Sequence, residues 1–237
     1  MLEYGLTTFM APQPSSAEPQ PDTFSYVAPF AVFIGALGLA HLISLPVQIA
    51  YPAYTGLALV TWLIFSRNCT PLKPSFPLAS IVAGMAVFVI WIAPDLLFHY
   101  RHSWIFENAL TGRAAGPPPP ELRHNLVFLS IRIAGSALVV PVIEELFWRG
   151  WLMRWLVNMK FQKIPLGTYR ASAFWITAVL FATEHGAFWE VGLAAGIIYN
   201  WWLIRTRNLA DCILAHAVTN AALAAYVVAA GQWQYWL

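Results

Sequence analysis

Glu144, Glu145 and Arg149 stand together in PVIEELFWRG, residues 141–150, inside a run that otherwise reads as hydrocarbon. Two further polar islands interrupt apolar stretches: Glu184 and His185 in LFATEHGAFWE, and His216 and Asn220 in CILAHAVTNAALAAY. Charged groups inside membrane-length apolar segments cost about 2.5 kcal/mol or more and usually mark function. Glu145 and Arg149 are four residues apart, so on a helix they share a face and can pair. Glu144 points about 100° away and is left for partners elsewhere in the chain. Pro141 lacks an N–H, so it should start or kink a helix and leave unpaired N–H groups near the carboxylates.

One free carboxylate, two imidazoles and a carboxamide meet the needs of water-driven amide hydrolysis. A base must take a proton from water, and donors must hold the oxyanion that forms. Glu144 and His185 suit the first task, and His216 and Asn220, four apart on one face among alanines, suit the second. Each island alone has a plainer explanation, either a boundary ion pair with snorkelling side chains or a polar contact between helices. Three islands on three helices in one short chain are harder to explain as packing. Glu184 either orients the neighbouring imidazole or makes a plain polar contact. Cys212 lies four residues before His216, but a cysteine in such a run reads better as a small hydrophobe than as a nucleophile. Arg132, twelve residues before Glu144, should pair with a buried acid or a substrate carboxylate.

These residues need a scaffold that the rest of the chain describes. Of 237 residues, 59% are hydrophobic and only 10% charged, far from the roughly 25% charged residues of soluble domains. Backbone groups in lipid must be satisfied internally, and no alternating barrel strands occur, so the fold class is an all-α, polytopic transmembrane helical bundle of about seven to eight helices. Spans are expected at 26–46, 49–65, 78–98, 126–147, 171–189, 191–204 and 209–230, the second and sixth being short. Gly192 and Gly196 permit close helix packing. Residues 1–24 read as a disordered tail without a signal peptide. Residues 25–124 hold the N-terminal spans and the proline-rich GRAAGPPPPELRH connection, and 125–237 form the core with the polar islands.

Arg67, Lys73, Arg149, Arg154, Lys160, Lys163, Arg170, Arg205 and Arg207 fall on one side of this topology, against Arg101, Arg113 and Arg123 on the other. That asymmetry predicts a cytoplasmic N-terminus. The net charge of +2 and the lack of a basic cluster argue against nucleic acid as a partner. The two cysteines, Cys69 and Cys212, form neither a CxxC pair nor a zinc pattern.

In order and spacing, Glu144-Glu145-xxx-Arg149, Phe181-xxx-His185 and His216-xxx-Asn220 resemble the EExxxR, FxxxH and HxxxN motifs of the CAAX protease and bacteriocin-processing intramembrane proteases, the Abi or type II CAAX prenyl endopeptidase family. The resemblance covers roughly residues 125–230. The stretch IRIAGSALVVPVIEELFWRGWLMRW further looks like the branch found with bacterial exosortase and PEP-CTERM sorting systems. The resemblance implies an intramembrane endopeptidase in a bacterial inner membrane, acting on a protein or peptide substrate. Glu144 and His185 would activate water, His216 and Asn220 would form the oxyanion site, and Glu145 and Arg149 would support them. Two histidines and a carboxylate can also bind zinc, but without HExxH a metal-free mechanism with no cofactor is favoured. A non-catalytic scaffold or immunity factor, and a transporter with a proton-relay carboxylate, are the competing classes.

Overall fold

Capping residues and apolar runs set the helix limits. The computed structural model describes residues 22–236 apart from 102, 109–110 and 113–115. Residues 1–21, most of the expected tail, and Arg113 lie outside the described residues. Asp22 accepts from the Ser25 N–H and opens α1, Thr23–Leu42. The exposed Asp22 carboxyl is held below its ordinary range by that backbone N–H. Helix α2 runs Val47–Cys69, its last turns widened over Trp62–Ser66, and α3 runs Pro77–Phe98. The Asn125 side chain accepts from the Phe128 N–H and starts the longest helix, α4, Leu126–Trp155. Then come α5, Ala171–Thr183, α6, Trp189–Thr206, and α7, Leu209–Ala230, the last capped by Asn208.

The protein is an all-α, multi-pass membrane bundle in which, among the described residues, six helices are long and apolar enough to cross a bilayer. No strand occurs among the described residues. The short element is α5, not the second or sixth span. Its 13 residues rise about 20 Å, against about 30 Å of hydrocarbon. The expected fifth span to residue 189 is cut at Glu184 and His185 because Gly186 adopts φ +52, a left-handed conformation that a helix cannot contain. A one-turn 3₁₀ segment, Gly186–Phe188, then leads into α6.

Two further expectations are corrected in α4. It does not stop at residue 147, and Pro141 neither starts a helix nor creates a helix N-terminus. The helix instead passes the proline through wide, π-type turns at Gly135–Val139 and Leu146–Leu152. Arg149, expected in a basic loop, is fully buried within the bundle.

Side-chain contacts fix which helix ends lie together. At one end the Cys69 thiol reaches the Ser25 carbonyl region, and Asn208 donates to the Lys73 carbonyl. There too Asp211 accepts from the Ser75 and Phe76 N–H groups and the Ser80 hydroxyl, capping the start of α3. At the opposite end Arg101, just past α3, pairs with Glu190 at 2.9 Å and donates to the Ala187 carbonyl. Tyr235, beyond α7, donates to Asp95 there. The first described residues and the last therefore lie at opposite ends of the bundle.

Candidate active site

The three polar islands converge between α4, the α5–α6 turn and α7. Glu144, Glu184, His185, His216 and Asn220 line one cavity of about 230 Å³ whose remaining walls are largely apolar and aromatic. Glu144 is buried, and its Oε2 accepts no hydrogen bond from the described residues. It lies 4.0 Å from His216 Nε2.

Glu145, the next residue of α4, is wholly buried. Its Oε1 accepts from Arg149 at 3.1 Å and from His216 Nδ1 at 3.0 Å. The expected pair with Arg149 is present, and it extends to a histidine that the sequence places 71 positions away. Because an ionised carboxylate only accepts, His216 carries its proton on Nδ1 and turns Nε2 toward Glu144. The ring also stacks on Tyr199, with centroids 5.1 Å apart. Arg149 is held by more than Glu145: it donates to Asn200 Oδ1 at 2.9 Å and packs over the Phe181 ring at 4.4 Å. Asn200 in turn donates to the Phe174 carbonyl. Asn200 went unnoticed in the sequence because nothing local in α6 marks it as the partner of a cation in α4.

His185 sits at the end of α5, where its Nδ1 lies 2.8 Å from the Phe181 carbonyl. A carbonyl oxygen only accepts, so Nδ1 is the protonated nitrogen and Nε2 is left with a lone pair. Trp91 meets the ring edge-on at 5.2 Å. Gly192 of α6 forms the floor beneath it: a Cβ there would meet the imidazole at 3.0–3.2 Å. Gly192 therefore does more than permit helix packing. It leaves the space that the His185 ring fills.

Asn220 is positioned by the defect in α4. In the wide turn, the Val140 N–H bonds to the Gly135 carbonyl, five residues back. The next bond in that register would run from residue 141 to the Ser136 carbonyl, but Pro141 has no N–H. The Asn220 side-chain amide donates to the Ser136 carbonyl instead, at 2.8 Å. One of its two N–H donors is used there and the other remains. Pro141 thus shapes the site by freeing a carbonyl, not by supplying a helix dipole.

The residues without an assigned role separate clearly. Cys212 is fully buried beside Leu146, Met153 and Leu203, and its thiol reaches the Tyr199 carbonyl at 3.5 Å. It packs as a hydrophobe and does not line the cavity. Arg132 lies with its guanidinium 4.3 Å from the Tyr51 ring and donates to the Trp236 carbonyl. Among the described residues, no three His, Cys, Asp or Glu side chains are grouped to hold a metal ion.

Residues 126–222 match the family model described as Type II CAAX prenyl endopeptidase Rce1-like. The match runs from the start of α4 into α7 and includes Glu144, His185, His216 and Asn220, while α1 to α3 lie outside it. It supports the CAAX protease family and a peptidase of that kind. No curated protein and no solved structure matches the chain.

Proposed function

We propose that the chain is an intramembrane endopeptidase that hydrolyses a peptide bond with water activated by Glu144 and His185. The observation that carries this reading is the meeting of Glu144, His185, His216 and Asn220 on one largely apolar cavity. Glu144 presents an unpaired carboxylate oxygen and His185 an Nε2 lone pair, so one water can donate to both while its oxygen attacks the carbonyl carbon. The tetrahedral oxyanion is held by the remaining Asn220 N–H and by His216. With Nδ1 given to Glu145, Nε2 is the ring nitrogen left to face the cavity. Glu145 and Arg149 orient His216 and do not themselves touch substrate.

The cavity also reaches Ile34 and Leu37 on α1, side chains 41% and 39% exposed on the helix surface. That opening faces lipid, so the substrate is a membrane-borne or membrane-adjacent peptide segment. The reading is metal-free: the chain carries no HExxH, and the two histidines have separate hydrogen-bonding roles, His185 at the Phe181 carbonyl and His216 at Glu145. The host membrane is a bacterial inner membrane with the N-terminus cytoplasmic, where the chain associates with an exosortase-like sorting system. Prenyl recognition is not part of the proposal.

The test is cleavage by the reconstituted protein in proteoliposomes. Glu144→Gln and His185→Ala should each lower turnover at least ~10³-fold, with thermal melting and monodispersity unchanged, and an added chelator should leave wild-type turnover intact. A scaffold would instead lose stability or a partner in those variants, and full turnover in either variant would sink the hydrolytic reading.

A further inference from the structure

A second carboxyl group faces the cavity, and water activation does not use it. Glu184 directly follows α5 and precedes His185, and its Oε2 accepts from the Trp148 indole N–H at 3.1 Å. Trp148 belongs to α4, one turn beyond Glu144, and is itself buried and locked between Phe30 and Phe181. A rigid donor on Glu144's own helix therefore draws Glu184 to the cavity from the opposite wall.

Satisfying an indole does not explain a carboxylate at this place. The indole nitrogens of Trp91, Trp151 and Trp236 are buried with no hydrogen-bond partner among the described residues. The protein thus tolerates several unpaired indoles, and Glu184 is an exposed residue, so neither burial nor the needs of one indole accounts for a carboxyl turned toward the cavity. Two carboxyl groups on one apolar cavity favour holding a single proton between them over carrying two negative charges.

We infer that Glu184 is a second catalytic carboxyl, the general acid that protonates the leaving nitrogen, an inference that rests on the hydrolytic reading of the site. Water's oxygen bonds to the carbonyl carbon as its proton passes to Glu144. The C–N bond then breaks, its electron pair stays on nitrogen, and the Glu184 proton transfers to that nitrogen to give the neutral amine. Glu144 ends protonated and Glu184 ionised. A proton passed between them through water restores the starting state, so no co-reactant is consumed.

The leaving group provides the test. A fluorogenic peptide with an apolar membrane segment that the wild type cleaves in proteoliposomes is compared with its depsipeptide, in which oxygen replaces the scissile N–H. An alkoxide leaves with far less need of a proton than an amide anion. Glu184→Gln keeps an acceptor for Trp148 and should cut amide cleavage by about 10²–10³-fold while leaving ester cleavage within about threefold. Trp148→Phe should give a smaller loss in the same direction. Equal losses on both substrates, or none on either, would overturn the inference and leave Glu144 to shuttle the proton alone. Glu144→Gln keeps the two ideas separate: loss of both cleavages upholds the water-activating role whatever Glu184 does.

Discussion

At the scale of single residues, the adjacent glutamates divide by what each faces. Glu145 is neutralised by Arg149, and the same oxygen, Oε1, also receives His216 Nδ1. Removing one member of such a buried set leaves an uncompensated charge. Arg149→Met should therefore destabilise the protein by about 3–5 kcal/mol, measured by reversible unfolding in mixed micelles. Glu145→Gln removes the charge that holds His216 but keeps an amide oxygen in place, so it should lower kcat and leave KM nearly unchanged. Asn220 carries a different load. If its free N–H holds the oxyanion, Asn220→Ala should lose about 10²–10³-fold in kcat, the usual effect of deleting one such donor. Only a small change in kcat for that variant would remove Asn220 from the oxyanion site.

At the scale of elements, two irregularities set the geometry. In α4 the missing N–H of Pro141 frees the Ser136 carbonyl for Asn220. Pro141→Ala restores a backbone donor that competes for that carbonyl. The variant should melt at a higher temperature yet turn over more slowly, by about tenfold or more, because a displacement near 1 Å at a reacting centre can cost ~10²-fold. Parallel measurement of melting and kcat checks both signs. In the α5–α6 hairpin, the early stop of α5 brings His185 inside the bundle, and Gly192 leaves room for its ring. Gly192→Ala places a methyl within 3.0–3.2 Å of the imidazole, so activity should fall about tenfold or more with little loss of stability, read by comparing kcat with the melting temperature.

At the scale of the whole molecule, the alternation of seven helices leaves Arg67, Lys73, Lys160, Lys163, Arg170 and Arg207 at the end where α1 begins. By the positive-inside rule we propose that this end is cytoplasmic. In a background with Cys69→Ser, Lys160→Cys should react with an impermeant maleimide only in inverted vesicles, and labelling in right-side-out cells would reverse the orientation. The opposite end is closed by the buried Arg101, which pairs with Glu190 and lies 3.6 Å from Asp95. Nearby Tyr100, outside the spanning helices, donates to Glu190, and its phenol is pushed up to about 12, chiefly by burial and then by that carboxylate. This ionic knot ties the α5–α6 turn to α3, next to the candidate site.

Composition and the absence of alternating barrel strands were together enough to require an all-α membrane bundle, because lipid leaves a backbone no partner outside its own helix or a closed barrel. The local spacing of Glu145 and Arg149, and of His216 and Asn220, was likewise legible, since helical neighbours four apart share a face by geometry. What spacing could not contain was contact between helices. The bond from His216 to Glu145, the grip of Asn200 on Arg149 and the seat of His185 over Gly192 each join residues distant in sequence. The length of α5 and the passage of α4 through Pro141 were misjudged for the same reason. A left-handed glycine ends an apolar run that hydropathy reads as continuous, and an asparagine from α7 satisfies the carbonyl that a proline leaves bare. Sequence determined which residues carry polar chemistry into the membrane; the fold decided which of them line the same cavity.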